Sequence, residues 1–169
     1  EYIEEPDNTF EVLQNNINKK TYMRKFKAKT ANIYGGMRMG GNSYYALDVK
    51  DPTTPKFLFH VDAANGKIKS ATTGITSTSA NPALQAMGQS WSKPTLAKVR
   101  FNGTLRDVMI VGGGYDYNVY ENLQARSTSD KGAGVYMFDA KTGELLWNAR
   151  YGTDNTSTTD VKNSTLKYS

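Results

Sequence analysis

The residues of this chain best suited to chemistry are few and scattered. His60 is the single histidine, and it stands inside the apolar run Lys56-Phe57-Leu58-Phe59-His60-Val61. A nucleophile–base pair or a metal site needs partners brought to the imidazole from elsewhere. The sequence offers none, so a packing or surface role is expected. Asp116, Glu121 and Asp130 lie in or beside one loop and carry the oxygen ligands that Ca²⁺ accepts. Their spacing is not the tight alternation of acids found in a calcium loop. Asp48 and Asp139 each stand just ahead of a turn, where a carboxylate caps backbone amides. General acid–base work instead needs two carboxylates whose environments push them apart, and no such pair is visible.

Two further groups invite a ligand. Gly35-Gly36-Met37-Arg38-Met39-Gly40-Gly41 and Gly112-Gly113-Gly114 are glycine-rich, but neither carries the Gly-Lys-Ser/Thr of a phosphate loop or opens a helix. Crowded backbones at a strand end explain them better. Lys19 to Lys29 holds six basic residues among Tyr22, Met23 and Phe26. Lys25, Lys27 and Lys29 alternate with Phe26, Ala28 and Thr30, which gives a strand one charged face. Lysines on an edge strand block unwanted pairing; contact with an acidic glycan, a nucleic acid or a lipid headgroup is the competing use. No residue is therefore assigned a catalytic, cofactor-binding or metal-binding role, and the chain reads as a non-enzyme.

The elements that must carry these residues are strands. Of the 169 residues 38% are hydrophobic and 11% aromatic, including eleven tyrosines, a balance that suits half-buried pleated surfaces. The chain lacks cysteine, which excludes disulfides and thiolate metal sites without fixing a compartment. No apolar run approaches the ~20 residues of a membrane helix. The net charge of +5 is a modest excess. The chain begins Glu1-Tyr2-Ile3, without Met or a signal pattern, and stops at Lys167-Tyr168-Ser169, so a piece of a longer protein is expected.

After a polar, irregular lead-in over residues 1–20, strands are expected at Thr21–Lys27, Ala31–Gly36, Ser43–Val49 and Lys56–Val61. Asp51-Pro52-Thr53-Thr54-Pro55 supplies a turn that no strand can cross. Residues 66–88 read as a long loop. The order then returns at Trp91–Val99, Asp107–Gly114, Val135–Ala140 and Glu144–Tyr151, with Asn102-Gly103 as a hairpin signal. Ile33-Tyr34-Gly35-Gly36 matches Ile110-Val111-Gly112-Gly113 77 positions later, and Tyr45–Lys50 matches Tyr136–Lys141 91 positions later. The extra 14 positions form an insertion over 115–132. Repeated four-stranded sets enlarged by loops point to an all-β chain of about two four-stranded antiparallel blades of a partial β-propeller. The first blade spans 21–65, an inter-blade loop 66–90, the second blade 91–151, and 152–169 link to a further blade. Blades cannot cover one another's faces in isolation, so neighbours are expected outside the chain. A β-sandwich is the alternative.

The order of these motifs also resembles a known family. Gly88-Gln89-Ser90-Trp91-Ser92-Lys93-Pro94, Gly112-Gly113-Gly114-Tyr115-Asp116 and Tyr136–Trp147 look like the quinoprotein-like C-terminal propeller of type IV pilus tip-associated adhesins, the PilC/PilY family. Gly40–Val49 with Asp51-Pro52 resembles the preceding blade, and Leu166–Ser169 the entry to the next. The resemblance covers about residues 20–169. It implies a pilus biogenesis and adhesion protein at the pilus tip or outer-membrane surface of a Gram-negative bacterium. Pilin or minor pilins, with a host or surface receptor, would be the partners, and nucleic acid would not. The regulatory calcium loop of that family has no counterpart here and would lie beyond Ser169, so no cofactor is assigned to this segment. Asp139–Trp147 also resembles blades of quinoprotein (PQQ) dehydrogenases, whose vicinal cysteines are absent. An outer-membrane assembly scaffold is a third reading. Loops 66–88 and 115–132 are the expected contact surfaces.

Overall fold

The computed structural model describes residues 4–14, 20–73, 79–117, 121, 131–152 and 157–166, with side chains from Lys29 onward. Among the described residues the regular elements are strands and short helical turns, and the chain divides into two compact units. One comprises Glu1–Ile33 and Asp48–Lys56, the other Tyr34–Leu47 and Phe57–Ser169.

In the first unit β1 (Glu4–Gln14) pairs antiparallel with β2 (Lys20–Ala28), with a register shift between Pro6 and Phe10. The reading of residues 1–20 as irregular therefore misses a strand. Its string of acids and amides lacks the alternation that announces a strand, and pairing to β2 supplies the order instead. The turn after Asp48 is set by side chains. The Asp51 carboxylate accepts from the Thr53 amide at 3.0 Å, the Thr53 hydroxyl at 2.6 Å and the Thr54 hydroxyl at 2.7 Å. These donors, the Thr53 hydroxyl foremost, hold the exposed carboxyl below its ordinary range.

The second unit is built on two sheets. β3 (Asn32–Gly36), β4 (Ser43–Asp48), β5 (Lys56–Asp62) and β6 (Lys67–Ser70) lie side by side in chain order. Thr21–Lys27 is thus not the opening strand of this sheet, and β6 completes it inside a segment that reads as loop. The β5–β6 connection is fixed by Asp62, whose carboxylate accepts from the Asn65 amide and, at 2.7 Å, from its side-chain amide. A one-turn helix α1 (Pro82–Gln85) follows, capped by the Asn81 side chain on the Ala83 amide with Pro82 at its start, a favoured arrangement.

The second sheet runs β11-β10-β9-β8-β7, from β7 (Thr95–Phe101), β8 (Thr104–Gly112), β9 (Gly134–Asp139), β10 (Leu145–Arg150) and β11 (Asp160–Lys162). Asn102 and Gly103 make the β7–β8 turn with φ of 49° and 78°, as a two-residue hairpin of this hand requires. β11 is parallel to β10. Arg150 clasps it through a two-pronged ion pair to Asp160, with N–O distances of 3.1 and 3.2 Å, the strong geometry for a guanidinium and a carboxylate.

Both sheets bury one face in a common core. Tyr44, Ala46, Phe59 and Val61 of the first meet Met109, Val111, Tyr136 and Phe138 of the second, with Leu84 and Met87 of the link between them. Tyr34 packs on Phe59 with ring centroids 6.2 Å apart and donates its hydroxyl to the Ala140 carbonyl at 2.8 Å. The register places Ile110, Met137 and Trp147 on the other face of the second sheet, where Val135 is 44% exposed. Each sheet thus carries the alternation of a strand buried chiefly on one side.

Candidate functional site

The segment Gly88–Ser92 threads between the two sheets and bonds to each in turn. Toward the second sheet, the Gly88 amide donates to Gly113 at 2.8 Å, and Gln89 and Tyr115 exchange backbone bonds at 2.8 and 3.1 Å. Toward the first, the Ser90 amide donates to Gly41 at 3.0 Å, while its hydroxyl accepts the Met37 amide at 2.7 Å. Ser92 then joins both sides: its carbonyl accepts the Tyr44 hydroxyl at 3.3 Å, and its hydroxyl accepts the Gly112 amide at 2.9 Å. A short polar strip satisfies the strand ends of two sheets at once, which buried backbone groups demand.

That closeness accounts for the glycines. A Cβ on Gly88 would lie 2.5 Å from the Tyr115 carbonyl oxygen, and one on Gly36 2.5 Å from that of Ser90. Gly114, at φ +98°, would drive a side chain into the Gln89 carbonyl. Both glycine runs serve this seam.

Around the seam, apolar side chains reach solvent. Met39 is 74% exposed, Met37 48% and Trp91 45%. The Trp91 ring is not loose: its indole N–H donates to the Gln89 side-chain oxygen at 3.1 Å, and the Gln89 side-chain nitrogen donates to the Met39 carbonyl at 3.4 Å. Arg38 between the two methionines has φ +52°, a conformation rare for a residue with a side chain. Its amide donates to Ser90 at 3.3 Å. Tyr117, 57% exposed, stands two residues beyond the Gln89–Tyr115 bridge. The arrangement can make apolar and aromatic contacts on a rigid base.

Tyr44 anchors the seam from the core, where burial pushes its phenol up to about 12 against the pull of its bond to Ser92. Burial also raises Tyr136, with Arg150 opposing and Asp160 adding to the shift. A phenol that ionises later in the folded protein keeps its proton there after the unfolded chain has lost it. Its stabilising effect is complete below the ordinary phenol range and is lost as pH rises from about 10. Denaturant midpoints are therefore expected to fall between about pH 10 and 12, and to fall less steeply in Tyr44→Phe. An equal slope in the two proteins would contradict this role for Tyr44.

No known family profile matches the chain, and no curated protein does. Among solved structures, the chain resembles the C-terminal domain of PilY1 from Pseudomonas aeruginosa. The likeness has a TM-score of 0.47 at 21% identity and covers 75% of this chain. The chain spans 19% of the length of that one.

The residues singled out by sequence fall in separate places. Asp48 and Asp139 do cap turns: Asp48 accepts the Lys50 amide at 2.9 Å, and Asp139 the Lys141 and Thr142 amides at 2.9 and 3.1 Å. Arg106 lies 3.4 Å from Asp139. His60 sits on β5 in register with Lys69. Asp116 is buried, and Glu121 accepts the Tyr115 hydroxyl at 2.9 Å. Asp130 lies outside the described residues. Among the described residues no three acids or histidines gather as a metal site would need. Of the basic stretch, Lys19 and the side chains of 20–28 lie outside the description, and Lys29 is exposed. A groove of about 310 Å³ in the first unit is lined by Asp48, Lys50, Asp51, Thr54 and Lys56; the turn amides and hydroxyls already engage both carboxylates. The seam itself was legible only in part. The exposed methionines carry no sequence signal beyond their place between glycines.

Proposed function

We propose that this chain is a binding and assembly module of a type IV pilus tip adhesin, built as two blades of a quinoprotein-like β-propeller and performing no catalytic step. The observation that carries this reading is the joint between the sheets, a rigid polar strip that holds Met37, Met39 and Trp91 in solvent beside a core shared by both sheets. The ordered motifs that resemble the PilC/PilY family supply the biological context and support a position at the pilus tip or outer-membrane surface of a Gram-negative bacterium.

The faces of the sheets support stacking of like blades. The offset of 91 carries Tyr44 and Ala46, which face the second sheet, onto Val135 and Met137, which face away from the first. Repeated blades stacked head to tail give this relation, whereas a sandwich carries facing residues onto facing residues. The offset of 77 on β3 needs one correction. Gly36, not Gly35, lies beside Tyr44, whereas Gly112 pairs with Val135, so β3 corresponds to β8 one residue closer.

Pilin or minor pilins of the pilus tip are the expected ligands, held by apolar contact at the seam and by the loops beside it. Immobilised minor pilins should retain the chain. Met39→Asp with Trp91→Ala should weaken retention about tenfold while leaving the thermal midpoint unchanged. Quinone-dependent dye reduction by the chain, or retention indifferent to both substitutions, would overturn the reading.

A further inference from the structure

The chain contains two Asn-Gly pairs, Asn65-Gly66 and Asn102-Gly103, and the fold treats them in opposite ways. We propose that Asn102 is a site of spontaneous deamidation, and that Asn65, with the same neighbour, is protected. In this reaction the backbone nitrogen of the following residue attacks the asparagine Cγ. The amide proton passes to a base, the side-chain nitrogen leaves as ammonia, and a five-membered succinimide closes. Water then opens the ring to aspartate or isoaspartate. The net change is one amide plus water giving one acid plus ammonia, with solvent as the only co-reactant.

Attack needs three freedoms: an amide nitrogen not engaged as a donor, a side chain able to swing toward it, and room for the peptide plane to turn. Asn102 and Gly103 have all three. They are the two loop residues between the paired Phe101 and Thr104, and both are exposed. Among the described residues, neither the Asn102 side chain nor the Gly103 amide makes a hydrogen bond, and only the Gly103 carbonyl is engaged, by Arg100 at 3.1 Å. A Cβ built on Gly103 meets nothing within 4 Å, so the plane between the two residues can turn without collision.

Asn65 and Gly66 have none of them. The Asn65 side-chain amide donates to Asp62 at 2.7 Å and its backbone amide to the same carboxylate at 3.2 Å. The Gly66 amide, which would be the nucleophile, donates to Ala63 at 3.1 Å, and the Gly66 carbonyl accepts the Asn81 amide at 2.8 Å. The Asn81 backbone lies 2.8 Å from where a Gly66 Cβ would be. Reaction at Asn65 must first break this clamp. The negative charge of Asp62 also disfavours the anion that forms on the attacking nitrogen.

The consequence at Asn102 is local and lasting. A carboxylate replaces a neutral amide beside Arg100. The isoaspartate product also lengthens the main chain of a two-residue loop by one carbon, so Phe101 and Thr104 no longer face each other in the same turn.

The full chain, held in mildly alkaline buffer at body temperature, tests this by peptide mass mapping and by labelling with an isoaspartate methyltransferase. Asn102 should convert roughly tenfold faster than Asn65, the effect of a barrier raised by one or two hydrogen bonds. In strong urea the two sites should convert at similar rates. Asp62→Ala should accelerate Asn65 alone. Equal rates in the folded chain, faster conversion at Asn65, or a difference that persists undiminished in urea would each overturn the proposal.

Discussion

Replacing Phe59 with alanine is expected to remove about 3–5 kcal/mol of stability, the range for emptying a fully buried aromatic site. The ring has no exposed surface. Tyr34 packs against it, and the backbone of Gly143 comes so near that a Cβ there would stand 2.5 Å from a ring carbon. The ring thus occupies the place of the side chain that Gly143 lacks, and its removal leaves a void that neither sheet can close alone. A domain of this kind is stabilised by about 5–15 kcal/mol in total, so the loss should be plain in urea titrations. Phe57, on the same strand but 38% exposed, should lose about 1 kcal/mol or less on the same substitution. Equal losses at the two positions would show that the sheets do not share the core described above.

The second large effect is expected at Gly114. Alanine there should cost about 3 kcal/mol or abolish soluble folded protein. Part of the cost, about 1 kcal/mol, is the left-handed backbone at φ +98°. The rest comes from pushing the Gln89 strip away, with loss of the paired bonds between Gln89 and Tyr115 at about 0.5–1.5 kcal/mol each. Gly103 separates the two contributions. It also has positive φ, at +78°, but faces open space, so Gly103→Ala should show only the backbone part. Indistinguishable losses at the two glycines would mean that the seam yields without cost.

Much of the second sheet is legible in the sequence because its turns announce themselves. Asn102-Gly103 requires a two-residue hairpin, and Asp139 ahead of Lys141-Thr142-Gly143 requires a capped turn. The same dipeptide at Asn65-Gly66 carries an equal signal, yet β6 hides behind it. Four residues with two lysines offer no apolar run, and only Ser70 is fully buried. The Glu144–Tyr151 run reads as a strand from its length and its flanking turn, although its alternation is imperfect. A register shift between Leu145 and Trp147 inserts an extra residue, which breaks the alternation that marks a strand. The parallel strand β11 depends on an ion pair formed across ten positions of chain, and no local pattern encodes it. The seam was visible as glycine. What those glycines approach was not, because a close contact between distant backbones leaves no mark on neighbouring residues.

The long connection between β8 and β9 leaves and re-enters the second sheet through one gate. The Gly113 amide donates to the Gly134 carbonyl at 2.7 Å, and beside it the Gly132 amide donates to Ala86 at 2.9 Å. With the two ends tied so closely, a change in the number of residues between them adds a loop-closure cost. A doubling of that number costs about 0.6 kcal/mol. Gly114 and Tyr115 at the start of the connection stay bound to the Gln89 strip, so changes of length are expected to be tolerated only beyond Tyr117, with the sheets below left as they are. The gate separates the part of the molecule that must be inherited intact from a part that selection is free to vary.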